Sequence, residues 1–165
     1  MKRVLLTGVL SVSTFFQNIA CTCDYRGYFL EVAPTTKLVA LVRVIGYPFF
    51  RNLLYHHKVA MEVELIEIYQ GMESEATIIV WGDSGVMCRP YISQFTPGQY
   101  YLIGLYPGSK HSFYFENEND YYISSCGEFW LRVQSFGKSP YVLSGYRVHE
   151  KKYTLNQIRE ALKKK

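Results

Sequence analysis

Val59-Ala60-Met61-Glu62-Val63-Glu64-Leu65-Ile66 sets Val59, Met61, Val63 and Leu65 in alternation with Ala60, Glu62, Glu64 and Ile66, and the pattern runs on to Gly71. A period of two is what a half-buried strand requires. Upstream, Leu38-Val39-Ala40-Leu41-Val42-Arg43-Val44-Ile45 is rich in β-branched residues and stops at Gly46, which predicts a central strand. Ala76 to Trp81 is a third strand, closed by the turn cluster Gly82-Asp83-Ser84-Gly85. Tyr100 to Tyr106 is a fourth, stopped by Pro107-Gly108. Phe113-Tyr114-Phe115 and Tyr121-Tyr122-Ile123 are predicted as a pair flanking the polar stretch Glu116 to Asp120, and Phe129 to Val133 and Tyr141 to Val148 as short edge or crossing strands.

One helix is predicted. Thr154-Leu155-Asn156-Gln157 has the form of a capping box, with Thr154 as N-cap and Gln157 at the third helical position. Leu155, Ile158 and Leu162 then share one face, which should pack across a side of the sheet. The composition is 16% aromatic and dominated by 15 tyrosines, which favours strands. There are no internal repeats or linkers. About five main strands and one helix predict a mainly β chain: a closed Greek-key barrel of the OB type with a C-terminal α-helix.

The N-terminus carries a different signal. Met1-Lys2-Arg3 is basic, Val4 to Phe16 is almost free of charge, and Asn18-Ile19-Ala20 precedes Cys21. A basic start, an apolar run of about a dozen residues and a small residue at the cut describe a secretory signal peptide; the run is shorter than the roughly 20 apolar residues a membrane span needs. The expected organisation is a signal peptide over residues 1–20 and a single exported domain over 21–165. Ala20-Cys21 also fits the end of a bacterial lipoprotein cleavage site, which would make the protein a cell-envelope lipoprotein, although Asn18 stands where such sites usually have Leu. Removal of Lys2 and Arg3 takes the net charge from +4 to +2, too little for a nucleic-acid footprint, and Lys163-Lys164-Lys165 reads as a solvated tail.

Four cysteines, Cys21, Cys23, Cys88 and Cys126, all follow the signal. An even count in an exported domain reads as disulfides. Cys21 and Cys23 are too close to bridge each other without strain, so an N-terminal strand is expected to be pinned twice, to Cys88 and to Cys126. Each bridge closes a loop worth on the order of 4 kcal/mol in the chain-entropy model. A zinc site of the protein's own is disfavoured because paired C-x-x-C units are absent. His56-His57 lacks further ligands nearby. Asp83, Glu116, Glu118 and Asp120 sit in turn-like segments and read as solvated loop acids, as does Asp24. No H-E-x-x-H, G-x-S-x-G or phosphate-binding glycine loop occurs, which argues against an enzyme.

Cys21-Thr22-Cys23 suggests chemistry of another kind. A free α-amino group has an ordinary pKa of about 7.7–8.0, so a metal can displace its proton near neutral pH. The amine nitrogen and the carbonyl oxygen of Cys21 can together chelate an exposed zinc ion as a five-membered ring, in the position that a catalytic zinc keeps open for water.

Here the chain resembles a known family. Cys21-Thr22-Cys23 is similar to the start of the tissue inhibitors of metalloproteinases, the netrin-like OB-fold family. In order along the chain, Leu38 to Gly46 resembles that family's first long strand, Ile68-Tyr69-Gln70-Gly71 its Tyr-Lys-Gly step, Val86-Met87-Cys88 the segment holding the partner of the first cysteine, and Ile123-Ser124-Ser125-Cys126 its Ile-Thr-Thr-Cys segment. The resemblance implies the pairing Cys21–Cys88 and Cys23–Cys126. It implies that Cys21 ligates the zinc of a target metalloprotease in trans, and that Thr22 enters the primed-side specificity pocket. Cys23 and Asp24, with Met87, Cys88 and Arg89, would form a ridge in the active-site cleft. The departures are Pro34 near the position of a third family cysteine, Arg89-Pro90 in place of a small residue, and no cysteine-rich C-terminal domain. The expectation is a secreted metalloprotease inhibitor with no cofactor, no nucleic-acid partner, and membrane attachment only if Cys21 carries a lipid. The alternative is a non-inhibitory netrin-like binding module or surface lipoprotein of the envelope or extracellular matrix.

Overall fold

The structure, a computed structural model, describes residues 22–49, 58–85, 87–109, 115–145 and 149–164. Its long strands are β1 (Leu38–Gly46), β2 (Ala60–Gln70), β3 (Thr77–Trp81) and β4 (Tyr100–Pro107). They are joined by the short β5 (Tyr121–Tyr122), β6 (Trp130–Arg132), β7 (Tyr141–Ser144) and β8 (Lys151–Thr154). A single-turn helix α1 (Phe29–Val32) precedes β1, and α2 (Leu155–Lys163) ends the chain. The sheet runs β1-β2-β3-β5-β4, and β4 returns to β1 from Leu38↔Leu105 to Arg43↔Tyr100, so five strands close on themselves. All neighbours are antiparallel except β3 and β5, which run parallel. The fold is a closed, OB-like five-stranded barrel with a C-terminal helix. β6 lines the other edge of β4, and β7 and β8 form a separate hairpin.

The unbroken apolar run from Leu38 to Val42 has a plain cause, because both faces of β1 are buried there, whereas Arg43 and Ile45 further on are exposed. Leu38, Ala40, Val42 and Val44 point into the barrel with Met61, Val63, Val80, Ile103 and Ile123. Val39 and Leu41 point the other way, against Phe29, Leu102, Leu131, Val142 and the Leu155, Ile158 and Leu162 face of α2. β2 shows clean alternation only where one face meets solvent. Three register shifts in the β1–β2 ladder, between Val39/Ala40, Leu41/Val42 and Val44/Gly46, bend the pair so that the sheet can close. The capping box of α2 is formed as its sequence predicts: the Gln157 N–H donates to Thr154 Oγ1 and the Thr154 N–H to Gln157 Oε1.

Several expectations change. Phe113 and Tyr114 lie outside the described residues, Phe115 is in no strand and takes φ +62°, and β5 pairs with β3 and β4 instead of with 113–115. Residues 22–28 form no strand and are held by single bonds and a disulfide. The hairpin arm β8 and helix α1 were not legible in the residue pattern. Residues 146–148 at the end of the expected last strand, and His56 and His57, also lie outside the described residues.

The turn from β2 into β3 is fixed by two contacts. Gly71 has φ +86°, and a Cβ there would lie 2.2 Å from the Lys37 carbonyl oxygen, so the chain passes too close to β1 for any other residue. Glu73 then accepts the Tyr121 hydroxyl at 2.5 Å and the N–H groups of Ser74 and Glu75 at 2.8 and 3.1 Å. These bonds, the Tyr121 hydroxyl foremost, hold the Glu73 carboxyl below its ordinary 4.5. A carboxylate with a depressed folded pKa contributes stability that is complete above its unfolded pKa and disappears as pH falls through the folded value. Between pH 7 and pH 3 the Glu73→Gln protein should therefore lose less stability than the parent, read as the shift in urea midpoint. Parallel losses in the two proteins would show that this carboxylate is not part of the acid sensitivity.

Candidate functional site

Three segments far apart in sequence meet at one end of the barrel. Cys23 is bridged to Cys126, with Cα atoms 5.6 Å apart and a sequence separation of 103. Cys88 is also disulfide-bonded, and its partner lies outside the described residues. The sulfurs of Cys23, Cys88 and Cys126 all lie within 4.8 Å of one another, so the two bridges are neighbours. Because these sulfurs are consumed in disulfides, they offer no thiolate to a metal. Backbone bonds complete the junction: Arg26 N–H to Cys126 O at 2.9 Å, Ser125 N–H to Cys88 O at 2.9 Å and Glu128 N–H to Gly27 O at 3.0 Å.

The sequence-predicted ridge is brought together in part. Thr22, Cys23 and Asp24 are exposed beside the junction, and Met87 and Cys88 are half-buried next to them. Cys21, on which the zinc chemistry depends, lies outside the described residues. Arg89 is the member that points elsewhere. Its guanidinium donates to both carboxylate oxygens of Glu116, at 2.7 and 3.2 Å, with only 9% of the Arg89 side chain and 1% of the Glu116 side chain exposed. It also lies 4.1 Å from the centre of the Tyr122 ring. Arg89 thus offers its backbone to the ridge while its charge is neutralised inside the protein.

This overturns the reading of the loop acids as solvated. Asp83, Glu116 and Asp120 are all buried, and only Glu118 of the four is exposed. Burying a carboxylate is costly unless it is paired or hydrogen-bonded, and each of the three is. Asp83 Oδ1 accepts the N–H groups of Gly85 and Met87, both at 2.8 Å, and so shapes the loop that leads to Cys88. Glu116 takes Arg89 and the Ser109 N–H. Asp120 accepts the Trp81 indole N–H at 2.9 Å and the Asn117 N–H at 3.1 Å. Asp24 is exposed, as expected. Burial raises the Tyr122 hydroxyl above its usual 10.0, against the opposing pull of Arg89, so this wall of the site stays neutral at the phenol.

Three exposed aromatic residues stand within a few positions of Cys23, Cys88 and Glu116 in the chain and were missed by sequence reasoning. Tyr25 follows Cys23 by two residues, Tyr91 follows Arg89 by two, and Phe115 precedes Glu116; they are 61%, 50% and 56% exposed. In a chain this rich in tyrosine nothing local separates an exposed ring from a packed one. The positive φ of Phe115 is a sparsely populated conformation for an aromatic residue, fixed here by the anchored Glu116 that follows it.

Chemically, the arrangement is a rigid, exposed chain segment backed by two bridges and a buried ion pair. It suits insertion into a partner's cleft, since little freedom remains to be lost on binding. The chain matches no protein-family model and none of the curated proteins with which it was compared.

Proposed function

We propose that the protein is a secreted, single-domain metalloprotease inhibitor of the netrin-like type, whose free Cys21 amine and carbonyl chelate the zinc of a target protease. The observation that carries this reading is the exposed Thr22–Asp24 segment held beside two adjacent disulfides. Such a terminus is pre-organised, so binding energy is not spent on ordering it. In this reading Thr22 enters the primed-side pocket, while Asp24 and Met87 flank it. Arg89 contributes backbone only, its side chain being turned to Glu116.

The test is chemical. Extending the N-terminus by one alanine, or acetylating it, removes the chelating amine at Cys21 and leaves every side chain in place. Inhibition of a zinc endopeptidase should fall by at least two orders of magnitude, measured as the inhibition constant of the two forms side by side. Equal inhibition by both would refute the chelation mechanism.

The exposed Tyr25, Tyr91 and Phe115 favour a second reading, a netrin-like binding module that uses the same end of the barrel without zinc. It takes precedence if no zinc endopeptidase is inhibited by the unextended protein, or if intact mass shows a lipid on Cys21.

A further inference from the structure

Charge is segregated along this chain. Half of the 18 Lys and Arg, but only Glu150 and Glu160 among the 14 Asp and Glu, fall in residues 129–165, which carry net +7; residues 21–128 carry −5. The fold gathers most of this basic stretch into one layer. Val142 of β7 and Leu155, Ile158 and Leu162 of α2 pack side by side against Val39, Leu41 and Leu102, so hairpin and helix cover the same flank of the barrel. The register Tyr141↔Thr154 and Leu143↔Lys152 sets those four residues on the hairpin face opposite Val142. Lys152, Lys163 and Lys164 are exposed, as is Lys138 in the turn before β7.

The kind of cation matters. Both described arginines of this stretch are engaged within the protein: Arg159 with Glu67 and Asn156, Arg132 with the Gln99 side chain. The outward charge is carried by exposed lysines, of which Lys163 also makes an exposed pair with Glu160 at 3.1 Å; lysines act as mobile point charges and not as forks for bidentate recognition. Among them lie apolar groups: Tyr141, with the Lys152 ammonium 3.9 Å from its ring centre, half-buried Leu143, and exposed Phe136 stacked on Tyr100. Flexible ammonium groups interspersed with rings and alkyl stems match a diffuse negative surface with an apolar layer beneath it.

We propose that the outward face of β7, β8 and α2 docks on an anionic phospholipid bilayer. The contact is peripheral; no described helix is long and apolar enough to cross a membrane. The net negative remainder of the chain is repelled by the same surface, which turns the barrel away from it. The contact needs no lipid on Cys21 and is separate from the ridge.

The experiment is co-sedimentation of the exported protein, its N-terminus sequenced so that residues 1–20 do not contribute, with vesicles of phosphatidylglycerol in phosphatidylcholine and with phosphatidylcholine alone. Binding is expected on the anionic vesicles only, and should vanish at high salt. A lysine near an anionic surface contributes about fivefold in affinity. The variant K138Q/K152Q/K163Q/K164Q should therefore bind more than about 100-fold more weakly with an unchanged melting temperature, while K37Q/K58Q, whose ammonium groups lie over the Tyr121 and Tyr47 rings, should bind like the parent. Absence of binding at low salt, or equal binding by the quadruple variant, overturns the proposal. So does tighter binding to dextran sulfate or duplex DNA than to the vesicles.

Discussion

Glu116→Ala is expected to destabilise the protein by about 3–5 kcal/mol, because it leaves the Arg89 guanidinium buried without its counter-charge. The magnitude follows from where the pair sits. An exposed pair contributes roughly 0–1 kcal/mol, since water solvates each partner equally well alone. Here both oxygens of Glu116 are used, with the Ser109 N–H added to the guanidinium, and the Tyr122 ring lies over Arg89. In a domain of this size the loss should lower the melting temperature by roughly 10 °C. Arg89→Met with Glu116→Leu, which removes both charges and keeps volume, should recover most of it. Thermal and urea unfolding of the oxidised proteins measure both variants against the parent. A loss below about 1 kcal/mol for Glu116→Ala would show that water reaches the pair.

Removing the Cys23–Cys126 bridge as Cys23→Ser with Cys126→Ala should cost about as much. With the two cysteines 103 positions apart in sequence, the chain-entropy model gives about 4.7 kcal/mol, the value for a loop of roughly 100 residues. Cys126 is also buried, so the alanine leaves a small space as well. Equilibrium unfolding of the variant against the parent reads this directly. Under the proposed function, this variant, at a temperature where it is still folded, should inhibit a zinc endopeptidase less well than the parent, because one of the two bridges behind Thr22–Asp24 is gone. If stability fell by less than 1 kcal/mol, residual structure in the unfolded chain would be carrying the constraint instead of the bridge.

The parts of this molecule that could be read from sequence are those whose cause is local. β1 and β2 announce themselves because burial on both faces gives a continuous apolar run and burial on one gives alternation. α2 is legible because its cap is spelled by Thr154 and Gln157. What escaped has its cause at long range. Nothing near Glu116 tells that its partner is Arg89, 27 residues earlier, or near Asp120 that it faces Trp81, 39 residues earlier. Each stands in a polar, turn-like stretch that looks solvated until the barrel folds over it. β8 escaped for a similar reason, since Lys151-Lys152-Tyr153 has no strand-like pattern and pairs only because β7 is beside it. The site divides in the same way. The Cys23–Cys126 bridge stands as the family resemblance implies, whereas the inward turn of Arg89 depends on an acid that no motif marks.

β5 closes the barrel with two residues, Tyr121 and Tyr122, paired to β3 on one side and β4 on the other. A ring opens at its shortest seam, so slow breathing of this barrel is set here and not by the long β1–β2 ladder. The seam is reinforced by side chains in place of ladder length. Tyr121 is tied to Glu73, Tyr122 lies under Arg89, Asp120 just before it holds Trp81, and Cys126 four residues after it is bridged to Cys23. Two of these four fastenings, Arg89 and Cys126, belong equally to the junction that presents the N-terminal segment. Whatever grips that end of the protein therefore also damps the breathing of the whole ring, and whatever loosens the ring loosens the grip.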